Sequence, residues 1–159
     1  MKTLVLGMGS PILSDDGVGL FISRRLEGRI PGVDVVSTAM AGLALLDLVA
    51  GYEKIFVIDA LTTGESSIGN LKKLTDGEGS LHLFSSHGLN FPELISLGKE
   101  LGFRMPQVAG IYGIEIGEQI AFGEELSPEL QEKIESLIES ILQDIQCSLN
   151  CNNLHAPSP

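Results

Sequence analysis

Cysteine is scarce: Cys147 and Cys151 are the only two in 159 residues, four apart near the carboxyl end, with no CxxC pair and no neighbouring ligand set. This excludes a disulfide framework and leaves reduced, structurally minor thiols. Positive charge is scarce as well. Lys and Arg number 10 against 21 Asp and Glu, and the formal net charge of -11 repels phosphate backbones and anionic membranes over most of the surface. Nucleic acid is therefore not an expected partner. Long apolar runs are missing too: no segment reaches membrane-spanning length. The opening MKTLVLGMGSP breaks its apolar run at Gly7, Gly9 and Pro11, unlike a secretory signal. Neither export nor membrane insertion is expected, and the cytoplasm is the expected location.

Hydrophobic residues make up 43% of the chain and charged residues 19%, the composition of a globular protein. The length suits one domain with one substantial core. The expected organisation is a domain over 1–148 and a frayed tail over 149–159, where Asn, Pro and Ser replace apolar residues.

TLVLGM (3–8) is an apolar, partly β-branched run followed at once by turn residues, which predicts a buried parallel strand. Val18, Ile22 and Leu26 at helical spacing, with Gly28 as a stop, predict a helix from Asp16 to about 28. VDVVST (33–38) and KIFVIDA (54–60) read as strands, with a short buried helix over 42–52 between them. IGNLKKL (68–74) reads as a half-exposed strand. Pro92 and Gly102 bracket a helix over 91–101, and QVAGIYGIEI (107–116) is a further strand. Ser127 and Pro128 suit the N-cap and first turn of a last helix, with Leu130, Ile134, Leu137, Ile138, Ile141, Leu142 and Ile145 on one face. The β-α-β-α-β order predicts a single three-layer α/β/α domain, built on a mostly parallel twisted sheet of about five strands with helices on both faces.

Three residues stand out against this frame. Asp16 follows the first strand, Asp59 closes the third, and His87 precedes the helix at 91. In an open parallel sheet, ligands bind beyond the carboxyl ends of the strands, where strand order reverses. Two carboxylates meeting in a partly buried cluster repel unless a cation or proton compensates. An imidazole beside them favours Ni²⁺ or Zn²⁺ over the all-oxygen preferences of Mg²⁺ and Ca²⁺. Asp16, Asp59 and His87 are therefore the candidate metal ligands and catalytic residues. Asp15 and Asp16 equally suit a helix start, so that one can cap while the other faces the site. His82, in an apolar run, and His155, in the tail, receive no role.

Other chemistries fail on their motifs. Ile12 stands where GxGxxG needs its last glycine, and there is no P-loop, GxSxG elbow or HExxH helix. There is no DTG or DSG pair of the pepsin kind.

LVLGMGSPILSDDGVGLFISRRL, FVIDALTTG and SSHGLNFPELISLGKELG together resemble the hydrogenase maturation endopeptidases, over residues 1 to about 145. That family trims the carboxyl terminus of nickel-iron hydrogenase large-subunit precursors. The first block is the most specific, through Gly7, Gly9, Asp15, Asp16, Gly17 and Gly19. The resemblance implies that Asp16, Asp59 and His87 contact nickel already inserted in the precursor, so that the enzyme itself needs no resident metal and cleavage follows insertion. Ser10 replaces the family's frequent Asn, and Asp16 its frequent Glu. Monomeric action is expected of a protein that must dock on a larger one. Two other readings remain open from the residues alone. One is a receiver-like signalling domain holding Mg²⁺, although its acid pair would follow the first strand too late. The other is a non-catalytic metal- or peptide-binding module with an acidic cleft.

Overall fold

The computed structural model describes residues 1–74, 91–119 and 121–153. Five strands, β1 (Thr3–Met8), β2 (Val33–Thr38), β3 (Lys54–Leu61), β4 (Leu71–Leu74) and β5 (Gln107–Glu115), form one sheet in the order β2-β1-β3-β5-β4. β1 pairs in parallel with β2 and β3, and β3 with β5. β4 alone runs antiparallel, on the outer side of β5. The helices are α1 (Val18–Leu26), α2 (Leu45–Val49), α3 (Phe91–Glu100) and α4 (Pro128–Asn153).

The inner strands β1, β3 and β5 are largely apolar because both faces of the sheet are covered there, whereas the edge strands β2 and β4 are only partly buried. Alternate residues of one strand serve opposite layers. Leu4 and Leu6 of β1 and Ile55 and Val57 of β3 pack with α2 and α3. Val5, Phe56 and Ile58 pack with α1 and α4 on the other side. The predicted stripe on α4 is buried along its whole length, from Leu130 to Ile145. Each such side chain contributes about 1.5–3 kcal/mol by leaving water. Tyr112 of β5 stacks on Phe56 at 6.4 Å and donates its hydroxyl to Asp144 of α4 at 2.5 Å. Burial alone would push the Asp144 carboxyl up, but Lys73 and Tyr112 both donate to it and hold it below its ordinary range. Burial and the Asp144 contact together push the Tyr112 hydroxyl far above its ordinary value.

The three-layer α/β/α architecture is thus the one predicted, with local differences: the helix expected from Asp16 opens as a 3-10 turn (Ser14–Gly17) and becomes α-helical at Val18. The helix expected over 42–52 opens as a 3-10 turn (Gly42–Ala44) and its α-helical part stops at Val49, because Ala50 is extended and Gly51 takes φ +86°. The strand expected over 68–74 begins only at Leu71: Gly69, at φ +83°, turns the chain and donates its N–H to the Glu115 carbonyl. The tail expected from 149 is helical as far as Asn153, since Leu149 packs against the α1/α4 core and prolongs the buried face. The remainder of that tail lies outside the described residues. The strand order also departs from the 2-1-3-4-5 of flavodoxin-like and receiver domains, since antiparallel β4 occupies the edge. No helix among the described residues is long and apolar enough to cross a membrane.

Candidate active site

The chain leaves β1 toward β2 and returns to β3 on its other flank, so the strand order reverses between β1 and β3. A crevice forms there at the carboxyl ends of the strands. α1 sits closely over it because Gly19 has no side chain. A Cβ at that position would lie 2.3 Å from the Met8 carbonyl oxygen and 2.5 Å from that of Ile58. The loop joining β1 to α1 folds back equally tightly, since a Cβ on Gly9 would lie 2.3 Å from the Asp16 carbonyl oxygen.

This packing brings Asp16 and Asp59 onto one cavity of about 290 Å³, lined also by Met8, Ser10, Leu13 and Met40. The Asp16 carboxylate accepts a hydrogen bond from the Ser10 N–H at 3.1 Å, which fixes the loop. Asp59 is buried at 7% exposure and accepts from the Ala60 N–H at 2.8 Å. Burial pushes the Asp59 carboxyl up to about 8; the Ala60 N–H pulls it down, and the neighbouring Asp16 charge pushes it up again. Two of the three predicted residues are therefore brought together. His87 lies outside the described residues, as does His82, and among the described residues no third donor completes a metal-binding cluster with the two aspartates.

The acid pair divides its roles. Asp15 turns away from the cavity and accepts from the Ser127 N–H at 2.6 Å and the Ser127 hydroxyl at 2.7 Å, so it braces the N-cap residue of α4, whose own hydroxyl oxygen accepts from the Leu130 N–H at 3.4 Å as expected, and does not cap α1. Ser14, a non-glycine residue at φ +48°, is held in place by the Gly123 carbonyl at 2.8 Å and the Glu125 carbonyl at 2.7 Å. The site loop is thereby bound to the segment before α4. Asp15→Ala is expected to cost about 1–3 kcal/mol, because it strips the part-buried start of α4 of its acceptor. A lower urea midpoint at unchanged slope would register the loss.

Glu115 escaped the sequence reading. Buried at the end of β5, it accepts from the N–H and hydroxyl of Thr63 and from the Gly64 N–H, each at 2.8 Å, and so secures the loop that follows Asp59. Its signal matched that of Asp59: an acid closing an apolar strand, here IYGIE.

A larger cavity, about 480 Å³, opens at the amino ends of β3 and β5, between Tyr52, Lys99, Arg104 and Met105. Its ion pair, Arg104 with Glu53 at 3.6 Å, is largely solvated, and no buried acids converge there. The smaller cavity is the chemically equipped one.

Fold and site together define an α/β protein with paired carboxylates at the switch point of a parallel sheet. Residues 22–144 match the family model described as hydrogenase maturation protease, and the chain belongs to that family, a class of peptidases. The hydrogenase 2 maturation protease of Escherichia coli (strain K12) is 29% identical over 102 residues; the match spans 60% of this chain and 62%, less than two thirds, of that protein. Among solved structures, the hydrogenase maturating endopeptidase HybD from E. coli superimposes with a TM-score of 0.74 at 24% identity, covering 93% of this chain and 94% of that one. The [NiFe] hydrogenase maturation protease HybD from Thermococcus kodakarensis gives 0.61 at 26% identity, covering 90% and 98%.

Proposed function

We propose that the chain is an endopeptidase that removes the carboxyl-terminal extension of a nickel-iron hydrogenase large-subunit precursor once nickel has been inserted. The observation that carries this reading is the convergence of Asp16 and Asp59 on one cavity at the sheet's switch point, in a member of the maturation protease family. Both carboxylates offer oxygen donors to a divalent ion carried by the substrate, and His87 would add a nitrogen donor. Such a contact would place the scissile bond over the cavity. A water molecule then adds to the carbonyl, the C–N bond breaks and the leaving amine takes up a proton. A carboxylate at hydrogen-bond reach is suited to move that proton. The metal belongs to the substrate, so the enzyme recognises a filled precursor; it acts in the cytoplasm, as a monomer.

Incubation with nickel-loaded and nickel-free precursor provides the test. Mass spectrometry should show loss of a short carboxyl-terminal peptide from the loaded form alone. A non-catalytic binding module would leave both masses unchanged, and equal cleavage of both would remove the metal from the recognition step.

A further inference from the structure

Three stretches bordering the two aspartates carry no charge, although Glu65, Glu118, Glu124 and Glu125 lie in adjoining loop segments and the protein as a whole stands at -11. From Thr3 to Ser14, from Val35 to Leu46 and from Gln119 to Gly123 there is no Asp, Glu, Lys or Arg. These stretches supply large apolar side chains that the fold leaves in water: Ile12 at 55%, Met40 at 51%, Leu43 at 57% and Phe122 at 85% exposure. Ile12 and Phe122 are neighbours in space. Gly123 donates to the Ile12 carbonyl at 2.9 Å and accepts from the Ser14 N–H at 2.8 Å, which sets Phe122 beside Ile12. Leu13 and Met40 line the cavity itself, and Leu43 lies in the 3-10 turn just beyond.

Resting on the peptidase reading above, we infer that this apolar collar is the docking surface for the precursor's carboxyl-terminal segment, and that it grips apolar side chains flanking the scissile bond. Clustered apolar side chains in water mark interaction sites. Charge decides which partner fits. A second copy of this chain, meeting face to face about a twofold axis, would bring its own two aspartates and its own -11 against the same cleft. A segment that is apolar around a cationic centre matches both the uncharged rim and the acidic floor.

The double variant Ile12→Ser/Phe122→Ser tests the inference, since both side chains are exposed and neither lines the cavity, so folding is left intact. For nickel-loaded precursor, KM is expected to rise at least tenfold with kcat within twofold of the parent. A synthetic peptide of the precursor's last residues, spanning the cleavage point, should bind the parent at least tenfold more tightly than the variant in calorimetry. Unchanged KM and unchanged peptide affinity would overturn the inference, even with a fully active parent. So would a parent dimer that the double variant dissociates without any change in KM or peptide affinity, because the collar would then be a self-association surface. Loss of peptide binding in the variant, with no cleavage by the parent, would sustain the docking surface and sink the peptidase reading alone.

Discussion

Asp59→Asn is expected to abolish precursor processing, by a factor of about 10³ or more if the carboxylate both contacts the substrate's metal and handles a proton, while making the folded protein more stable. The two effects have one origin. Burial, with help from Asp16, lifts the Asp59 carboxyl from its ordinary 3.8 to about 8. A carboxyl whose folded-state value lies above its unfolded value binds its proton more tightly when folded. Its contribution is therefore complete below about pH 4 and is lost as the pH rises toward 8. Asparagine keeps the shape and the acceptor for the Ala60 N–H but never ionises. The variant should therefore match the parent near pH 4 and exceed it at pH 9. The margin is a few kcal/mol, each tenfold change in proton affinity being worth about 1.4 kcal/mol. Thermal unfolding across that range, with a chelator present, supplies the measurement. Parallel stability curves would show that Asp59 titrates as an ordinary surface acid, and processing within tenfold of the parent would remove it from the chemistry.

The burial of an ionisable group at Asp59 also explains why that residue was conspicuous in the sequence. An acid that ends the apolar run KIFVIDA costs folding energy, and few structural roles compensate for such a cost at the end of a central strand. Asp15 and Asp16 could not be separated in the same way. Their division of labour depends on Ser127, 112 positions further on, and no local spacing encodes that contact. The strands were legible because burial on both faces makes their composition continuous. The edge strand was blurred because β4 is short and half exposed, with Lys72 in solvent and Lys73 paired with Asp144. The apolar collar was equally hidden, since Ile12, Met40 and Phe122 come from three separate loops that only the sheet brings together.

The convergence of Asp16 with Asp59 depends on how closely α1 approaches the sheet, and Gly19→Ala tests that approach directly. Its new methyl group would meet two carbonyl oxygens, those of Met8 and Ile58, at 2.3 and 2.5 Å. Both belong to backbone held in parallel ladders, Met8 opposite Thr38 and Ile58 opposite Gly7, so neither can rotate aside as a flexible side chain would. Relief requires α1 to move outward. That movement opens the Val18, Ile22 and Leu26 contacts and carries the preceding turn, with Asp16, away from Asp59. Overpacking a tight core costs about 1–3 kcal/mol, and a contact against two fixed carbonyls belongs at the upper end, near 3 kcal/mol. For a chain of this size that corresponds to a fall of roughly 6–12 °C in Tm. Activity measured well below the transition, where the variant is folded, should fall as well, by tenfold or more, because the two carboxylates no longer share one cavity. A variant that melts early yet processes precursor at the parental rate would confine Gly19 to packing and detach the site from the closeness of α1.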